Sequence, residues 1–212
     1  MNIFSAAGIY DALLYLPLIE MRRTTVEILG RLRREPVLDV CCGTGYQLGM
    51  IAPLGLFAVG IDLSPAMLRP LRAGSGGVRC AVQDAANLAF RDGAFSVAMI
   101  SFGLHEKERA IARRVVDEMM RVTAEGGYLL VTDFEITAGT SAFSRRAISC
   151  VERIAGKRHY RCFRDYCETG GMKALLPEKG LALLEEHWFA SRGIVTRLYG
   201  KSARHGRTGD AR

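Results

Sequence analysis

The stretch VLDVCCGTG, residues 37–45, decides the fold. Val37-Leu38-Asp39-Val40 has the pattern of a short buried strand, and Gly43 and Gly45 follow it at once. Glycine allows backbone turns that other residues resist and lets a ligand come close to the main chain. In an open α/β sheet, ligands bind beyond the carboxyl ends of the strands, near the point where strand order reverses. Two glycines on their own suit a purely structural turn as well, so the reading depends on what surrounds them.

Upstream, Pro36 ends a segment over residues 10–34 that reads as one or two helices. Its apolar side carries Leu13, Leu14, Leu18, Met21, Val26, Ile28, Leu29 and Leu32. Downstream, a helix through Ile51 leads to a second strand, Phe57 to Ile61, which ends at Asp62. Ser64 is a good N-cap and Pro65 suits the first position of the next helix. Val78 to Val82 makes a third strand, and Phe95 to Ser101 a fourth that is almost continuously apolar. A helix from Glu106 to Val122 carries Ile111, Val115, Met119 and Val122 along one stripe. Gly126-Gly127 then turns the chain into a fifth strand, Tyr128 to Phe134.

This alternation is that of a doubly wound α/β sheet. After residue 134 the rhythm changes. Residues 138–156 read as helical, and 159–176 mix aromatic and basic residues around Gly170-Gly171. Leu181 to Phe189 and Ile194 to Leu198, separated by Ser191-Arg192-Gly193, suit an antiparallel hairpin at the sheet edge.

A chain of 212 residues that is 49% hydrophobic, with Gly 23 and Pro 6, buries a substantial core and excludes a disordered polymer. The formal charge is +7. Between Arg145 and Arg164 lie Arg145, Arg146, Arg153, Lys157, Arg158, Arg161 and Arg164 against one acid, Glu152. Such a surface attracts nucleic acid, anionic lipid or an acidic small molecule, and it equally describes a solvated helix face. Cysteines stand at 41, 42, 80, 150, 162 and 167 with no CxxC pair, and none of the four histidines completes a familiar metal-ligand spacing. Cys162 and Cys167 leave a thiol or metal site of unfamiliar spacing open, but no metal is expected, and reduced thiols in a cytoplasmic protein are the simpler account. The apolar stretch Ala12 to Ile19, bracketed by Asp11 and Glu20, is too short to span a bilayer and poorly formed as a signal peptide.

Asp62 turns the glycine loop into a nucleotide-site candidate. It ends the second strand 17 residues after Gly45, where a carboxylate can accept hydrogen bonds from ribose hydroxyls. A dinucleotide site would show G-x-G-x-x-G, whereas the glycines here are 43, 45 and 49. A phosphate loop of the Gly-Lys-Ser/Thr type fails too, because no lysine precedes Lys107.

Taken with AVGIDLSPAML (58–68), VQDAANLAF (82–90), FSVAMISFGLHE (95–106) and RVTAEGGYLLVTDF (121–134), the chain resembles a class I S-adenosylmethionine (SAM)-dependent methyltransferase. Within that class it resembles the ubiquinone/menaquinone biosynthesis C-methyltransferase type, methyltransferase domain 11. The resemblance is firm over 36–134 and looser at Tyr10-Asp11 and GIVTRLYG (193–200). Glu125-Gly126-Gly127 stands where that type usually has Pro-Gly-Gly, and Cys41-Cys42 where small or acidic residues are common.

The resemblance implies a Rossmann-like fold with a mostly parallel seven-stranded sheet, N-terminal helices and a helical lid inserted before the last two strands. One domain would span 1–200: a helical cap 1–35, a core 36–134, a lid 135–180 and C-terminal strands 181–200. Residues 201–212 would be a flexible tail. It also implies that Asp39, Gly43 and Gly45 line the methionine and ribose side of SAM, and that Asp62 binds the ribose. Leu63 and Met67 would border the adenine, Asp84 and Ala85 would reach its polar edge, and Ser101 and Phe102 would lie under the cofactor.

Methyl transfer from a sulfonium requires alignment, exclusion of water and, for some acceptors, a base. His105, just past the fourth strand, is the candidate base, although a histidine at a helix start also serves simply to hold a loop. In the segment RHYRCFRDYCETGG (158–171), Tyr160, Phe163 and Tyr166 suit a flat acceptor, while Arg158, Arg161 and Arg164 suit its anionic groups. His159 and Asp165 are secondary proton carriers. The same residues equally describe packed helices with a charged outer face.

The acceptor is expected to be a small molecule, quinone-like or lipid-like, and no nucleic acid partner is expected. The alternatives are an RNA or protein methyltransferase and a noncatalytic SAM-binding protein. No transmembrane segment is expected, and peripheral contact with a membrane stays open, as does the oligomeric state.

Overall fold

The computed structural model describes residues 3–74, 79–176 and 180–202, with side chains for 18–69, 79–176 and 180–202. The glycine-bearing segment begins with β1 (Val37–Val40), an inner strand of a seven-stranded sheet. On one side lie β2 (Ala58–Asp62) and β3 (Arg79–Val82). On the other lie β4 (Phe95–Ser101), β5 (Thr123–Phe134), β7 (Ile194–Lys201) and, at the edge, β6 (Leu181–Phe189). The order is β3-β2-β1-β4-β5-β7-β6. The first five strands run parallel, and β7 is antiparallel to both β5 and β6. This is the class I methyltransferase fold expected above.

Side-chain alternation sorts the core. Leu38, Val40, Ala98, Ile100, Leu129 and Val131 face one side of the sheet, where α4 (Arg109–Val122) and α7 (Gly171–Leu175) cover them. Val37, Val97, Met99 and Leu130 face the other, against Ile28 and Leu29 of α1 (Ile3–Leu32). The strands are therefore buried on both faces, which is why they read as apolar runs rather than alternating ones. A third cluster joins Leu18 and Met21 of α1 to Phe134, Ile148, Phe163 and Ile194. It ties the N-terminal helix to α5 (Ala142–Ile154) and α6 (Lys157–Glu168), inserted between β5 and β7.

Several boundaries move for visible reasons. Residues 3–32 form one helix, not two. The side chains of Tyr10, Asp11, Leu13 and Leu14 lie outside the described ones, as do residues 203–212 of the expected tail. The helix expected from Glu106 begins at Arg109: Asp133 holds the amides of Leu104 and His105, Lys107 closes a turn onto Leu104, and Glu108, at φ −58° and ψ 139°, is the non-helical N-cap. The fifth strand starts earlier than expected, at Thr123, which pairs with Phe95 across a register shift. The aromatic-basic stretch 159–176 resolves into α6 and α7, separated at Gly170 and Gly171, both at positive φ. The expected edge hairpin is present; Ala190, Ser191 and Arg192 carry its turn at positive φ.

Candidate active site

The sheet order reverses between β1 and β4, and a cavity of about 600 Å³ opens at the carboxyl ends of β1, β2 and β4. The glycine loop forms its floor. Gly43 sits at φ 56°, and its amide donates to Asp62 Oδ2 at 2.9 Å. Asp62 Oδ1 accepts from the amide of Ser64 at 2.8 Å. One carboxylate thus fastens the loop after β1 to the end of β2 and keeps lone pairs for a ligand hydroxyl. Close packing enforces the arrangement: a side-chain Cβ on Gly60 would come within 2.4 Å of Leu48 and 2.7 Å of Cys42.

Asp39 lies deeper, only 3% exposed, at the cavity wall. Its Oδ2 is buried and accepts no hydrogen bond. Burial, reinforced by the nearby charge of Asp62 and opposed by that of Arg22, pushes its carboxyl up to about 8. A buried carboxyl with one oxygen unpaired favours a cationic ligand group, whose charge would draw it to the anion. Leu63, Met67 and Ala85 supply apolar wall, while Asp84 stands exposed at the mouth and Oδ1 accepts from the amide of Ala86. Ser101 and Phe102 close the cavity from β4.

A family model described as a methyltransferase domain matches residues 37–127, the segment that builds this cavity. That match and the strand order make the chain similar to the class I SAM-dependent methyltransferases. It is 37% identical over 113 residues to a demethylmenaquinone methyltransferase of Beutenbergia cavernae, covering 53% of this chain and 46% of that protein. The corresponding protein of Mycolicibacterium gilvum is 38% identical over 119 residues, covering 53% of this chain and 48% of that protein. The chain thus spans about half the length of the curated relatives it matches. In fold it is similar to an O-methyltransferase family protein of Burkholderia thailandensis, with TM-score 0.71, 20% identity, and 93% of this chain and 60% of that chain covered. Magnesium protoporphyrin IX methyltransferase of Synechocystis, solved with S-adenosylhomocysteine (SAH), gives TM-score 0.63 at 16% identity, covering 88% of this chain and 84% of that chain.

Of the cofactor residues expected from sequence, the fold brings Asp39, Gly43, Asp62, Leu63, Met67, Asp84, Ala85, Ser101 and Phe102 to the one cavity. Gly45 does not line it. At φ 72° and ψ 18° it caps α2 (Tyr46–Ile51) and turns the chain away. Cys41 and Cys42 are wall residues, and burial raises both thiols, Cys41 to about 11, so neither is a thiolate at neutral pH. All six cysteines are free.

The expected base is placed elsewhere. His105 is 2% exposed and does not border the cavity. Its Nδ1 lies 2.6 Å from Asp133 Oδ1, and its Nε2 lies 3.4 Å from Glu152 Oε2. Burial opposes its charge, but the two carboxylates outweigh burial and raise the imidazole well above its ordinary value. The side chain is walled off from any acceptor, so the structure does not support a base in direct contact with one.

The lid segment is also corrected in part. Phe163 and Tyr166 are core side chains, and Tyr160 stacks on Phe163 with Arg153 over its ring. Arg158 reaches Glu108, Arg164 reaches Glu168, and Asp165 stays exposed on α6. From this stretch only His159 lines the cavity, together with Glu106 and Lys107 from the turn after β4. Sequence reading missed Asp133, Glu152 and Glu106. An acid inside the apolar run of β5 and the single acid among seven basic residues were the available signals.

Proposed function

We infer that the protein transfers the methyl group of SAM to a small quinone-like acceptor. One observation carries the reading: a cavity at the sheet's switch point lined by three carboxylates, Asp39, Asp62 and Asp84, with apolar walls between them. SAM offers a cationic ammonium, ribose hydroxyls and an adenine, and these suit that order of groups from the floor to the mouth. Asp39 takes the ammonium, Asp62 the ribose, and Leu63, Met67, Asp84 and Ala85 the adenine. Gly43 lets the backbone approach, Gly45 acts through the helix start, and Ser101 and Phe102 hold the cofactor from below.

The acceptor occupies the remaining end, between Phe102 and the polar wall of Glu106, Lys107 and His159. The names of the relatives point to a ring of the demethylmenaquinone kind, in its hydroxylated, reduced form. Only that form is nucleophilic at carbon. Bound SAM would supply the methyl: the ring carbon would take it as the carbon–sulfur bond broke, the electrons would stay on sulfur to give SAH, and the ring would then lose its proton to water. The protein contributes alignment and exclusion of water. His105, bound to Asp133, positions the turn that carries Glu106 and Lys107.

In this reading the basic helices form a solvated face, on which Arg153, Arg158 and Arg164 each have a partner within the protein. Among the described residues no helix is long and apolar enough to cross a membrane. Free cysteines throughout accord with a reducing, cytoplasmic setting. The test is transfer from isotopically labelled SAM to reduced and oxidised naphthoquinones lacking the ring methyl. Label is expected in the reduced ring only. Tight SAM binding with no transfer to any hydroxylated aromatic would overturn the acceptor assignment.

A further inference from the structure

We propose that His105, Glu152 and His159 form a binding site for one divalent first-row transition-metal ion at the edge of the cavity. One donor atom from each residue lies within 4.8 Å of the other two. They arrive from three places: the turn after β4, the C-terminal half of α5 and the first turn of α6. Two imidazoles and a carboxylate suit Zn²⁺, Fe²⁺ or Co²⁺ better than Mg²⁺ or Ca²⁺, which prefer all-oxygen surroundings.

Glu152 makes the case. It is 4% exposed, and its Oε2 is buried without a hydrogen-bond donor. Yet that oxygen lies 2.6 Å from His159 Nε2 and 3.4 Å from His105 Nε2. Neither contact on Oε2 has the alignment of a hydrogen bond, an arrangement that a cation shared by the three ligand atoms would resolve. Asp133 prepares the site from behind. By accepting the proton of His105 Nδ1 at 2.6 Å, it leaves Nε2 as the ligating nitrogen, the usual carboxylate–histidine–metal relation. Glu106 Oε2, 3.9 Å from His159 Nδ1, stands in the same relation more loosely.

Three protein ligands with one side open is the plan of a catalytic rather than a structural metal site. Of the three residues only His159 borders the cavity, so the cavity reaches the site from the His159 side. The ion takes the place of protons on the imidazoles and releases them on binding. If the methyl-transfer reading holds, the ion would stand on the far side of His159 from the acceptor end, and a hydroxyl that reached it there would ionise more readily. Metal binding itself does not depend on that reading.

The experiment titrates the metal-free chain with Co²⁺, followed by visible absorption and calorimetry. The six free cysteines are the rival ligands, and a thiolate-to-cobalt charge-transfer band would reveal them. The expected result is one Co²⁺ per chain, with ligand-field bands and no thiolate band. Binding should weaken by about 100-fold or more in both Glu152→Gln and His159→Asn. Co²⁺ should raise the melting temperature of the parent and of neither variant. Circular dichroism verifies that the variants are folded, and His159→Asn, at the cavity rim, keeps the test open should Glu152→Gln fail to fold. SAM titration of the same samples separates failure of the metal site from failure of the cofactor reading. Absence of saturable Co²⁺ uptake by the folded parent, uptake unchanged in the variants, or a dominant thiolate band would overturn the proposal.

Discussion

Asp39 gives the proposed cofactor mode its sharpest test. With its carboxyl pushed up to about 8, the group is mostly protonated at pH 7 before a ligand arrives. Pairing with the ammonium of SAM requires the anion, and one pH unit of ionisation costs about 1.4 kcal/mol. The α-amino group of an amino acid keeps its proton below about pH 7.7, so only Asp39 changes between pH 6 and 7. The SAM association constant should therefore rise about tenfold over that unit. Calorimetry in buffers of different ionisation enthalpy should find nearly one proton released per SAM at pH 7.

Asp39→Asn should flatten the slope and weaken binding at pH 7 by about 1–3 kcal/mol. Stability follows the same sign. The folded pKa lies above the unfolded value of about 3.9, so the folded state binds more protons between about pH 4 and pH 8. That contribution is fully present below pH 4 and is lost as pH rises through 8. Without SAM, the melting temperature should fall over this window in the parent and less in Asp39→Asn. SAM affinity that is flat from pH 6 to 7 in the parent, or equally sloped in the variant, would refute the assignment.

Asp62→Ala removes the acceptor of two backbone amides as well as the proposed ribose contact. It should weaken SAM by about 1–3 kcal/mol and also lower the melting temperature; an unchanged value of either would contradict the loop-fastening role. Gly60→Ala drives a methyl into Leu48 and Cys42 and should cost about 1–3 kcal/mol by denaturant unfolding, so a neutral result would mean the loop yields freely. His105→Asn breaks a buried pair and should lose roughly 3–5 kcal/mol, read as a large drop in melting temperature; parental stability would show the Asp133 contact to be dispensable. RNA and DNA association across a salt series should be weak near physiological salt, and submicromolar binding that collapses steeply with salt would restore a nucleic-acid role for the basic helices.

What the sequence determined by itself was local. Continuous apolar runs at 37–40 and 95–101 mark strands covered on both faces, and glycine at 43 marks a turn only glycine adopts cheaply, so sheet, loop and most of the cavity wall were legible. Each of those signals lies within a few residues of the group it predicts. Which face an amphipathic helix turns inward was not legible: Phe163 and Tyr166 have the composition of an acceptor platform, yet the third core cluster and the α7 packing bury them. The surroundings of His105 were hidden for the same reason. Its partners, Asp133, Glu152 and His159, come from β5, α5 and α6, and no sequence spacing links them. Only the crossing of those elements brings two carboxylates to one imidazole, and that convergence turns an expected free base into a buried, doubly held side chain.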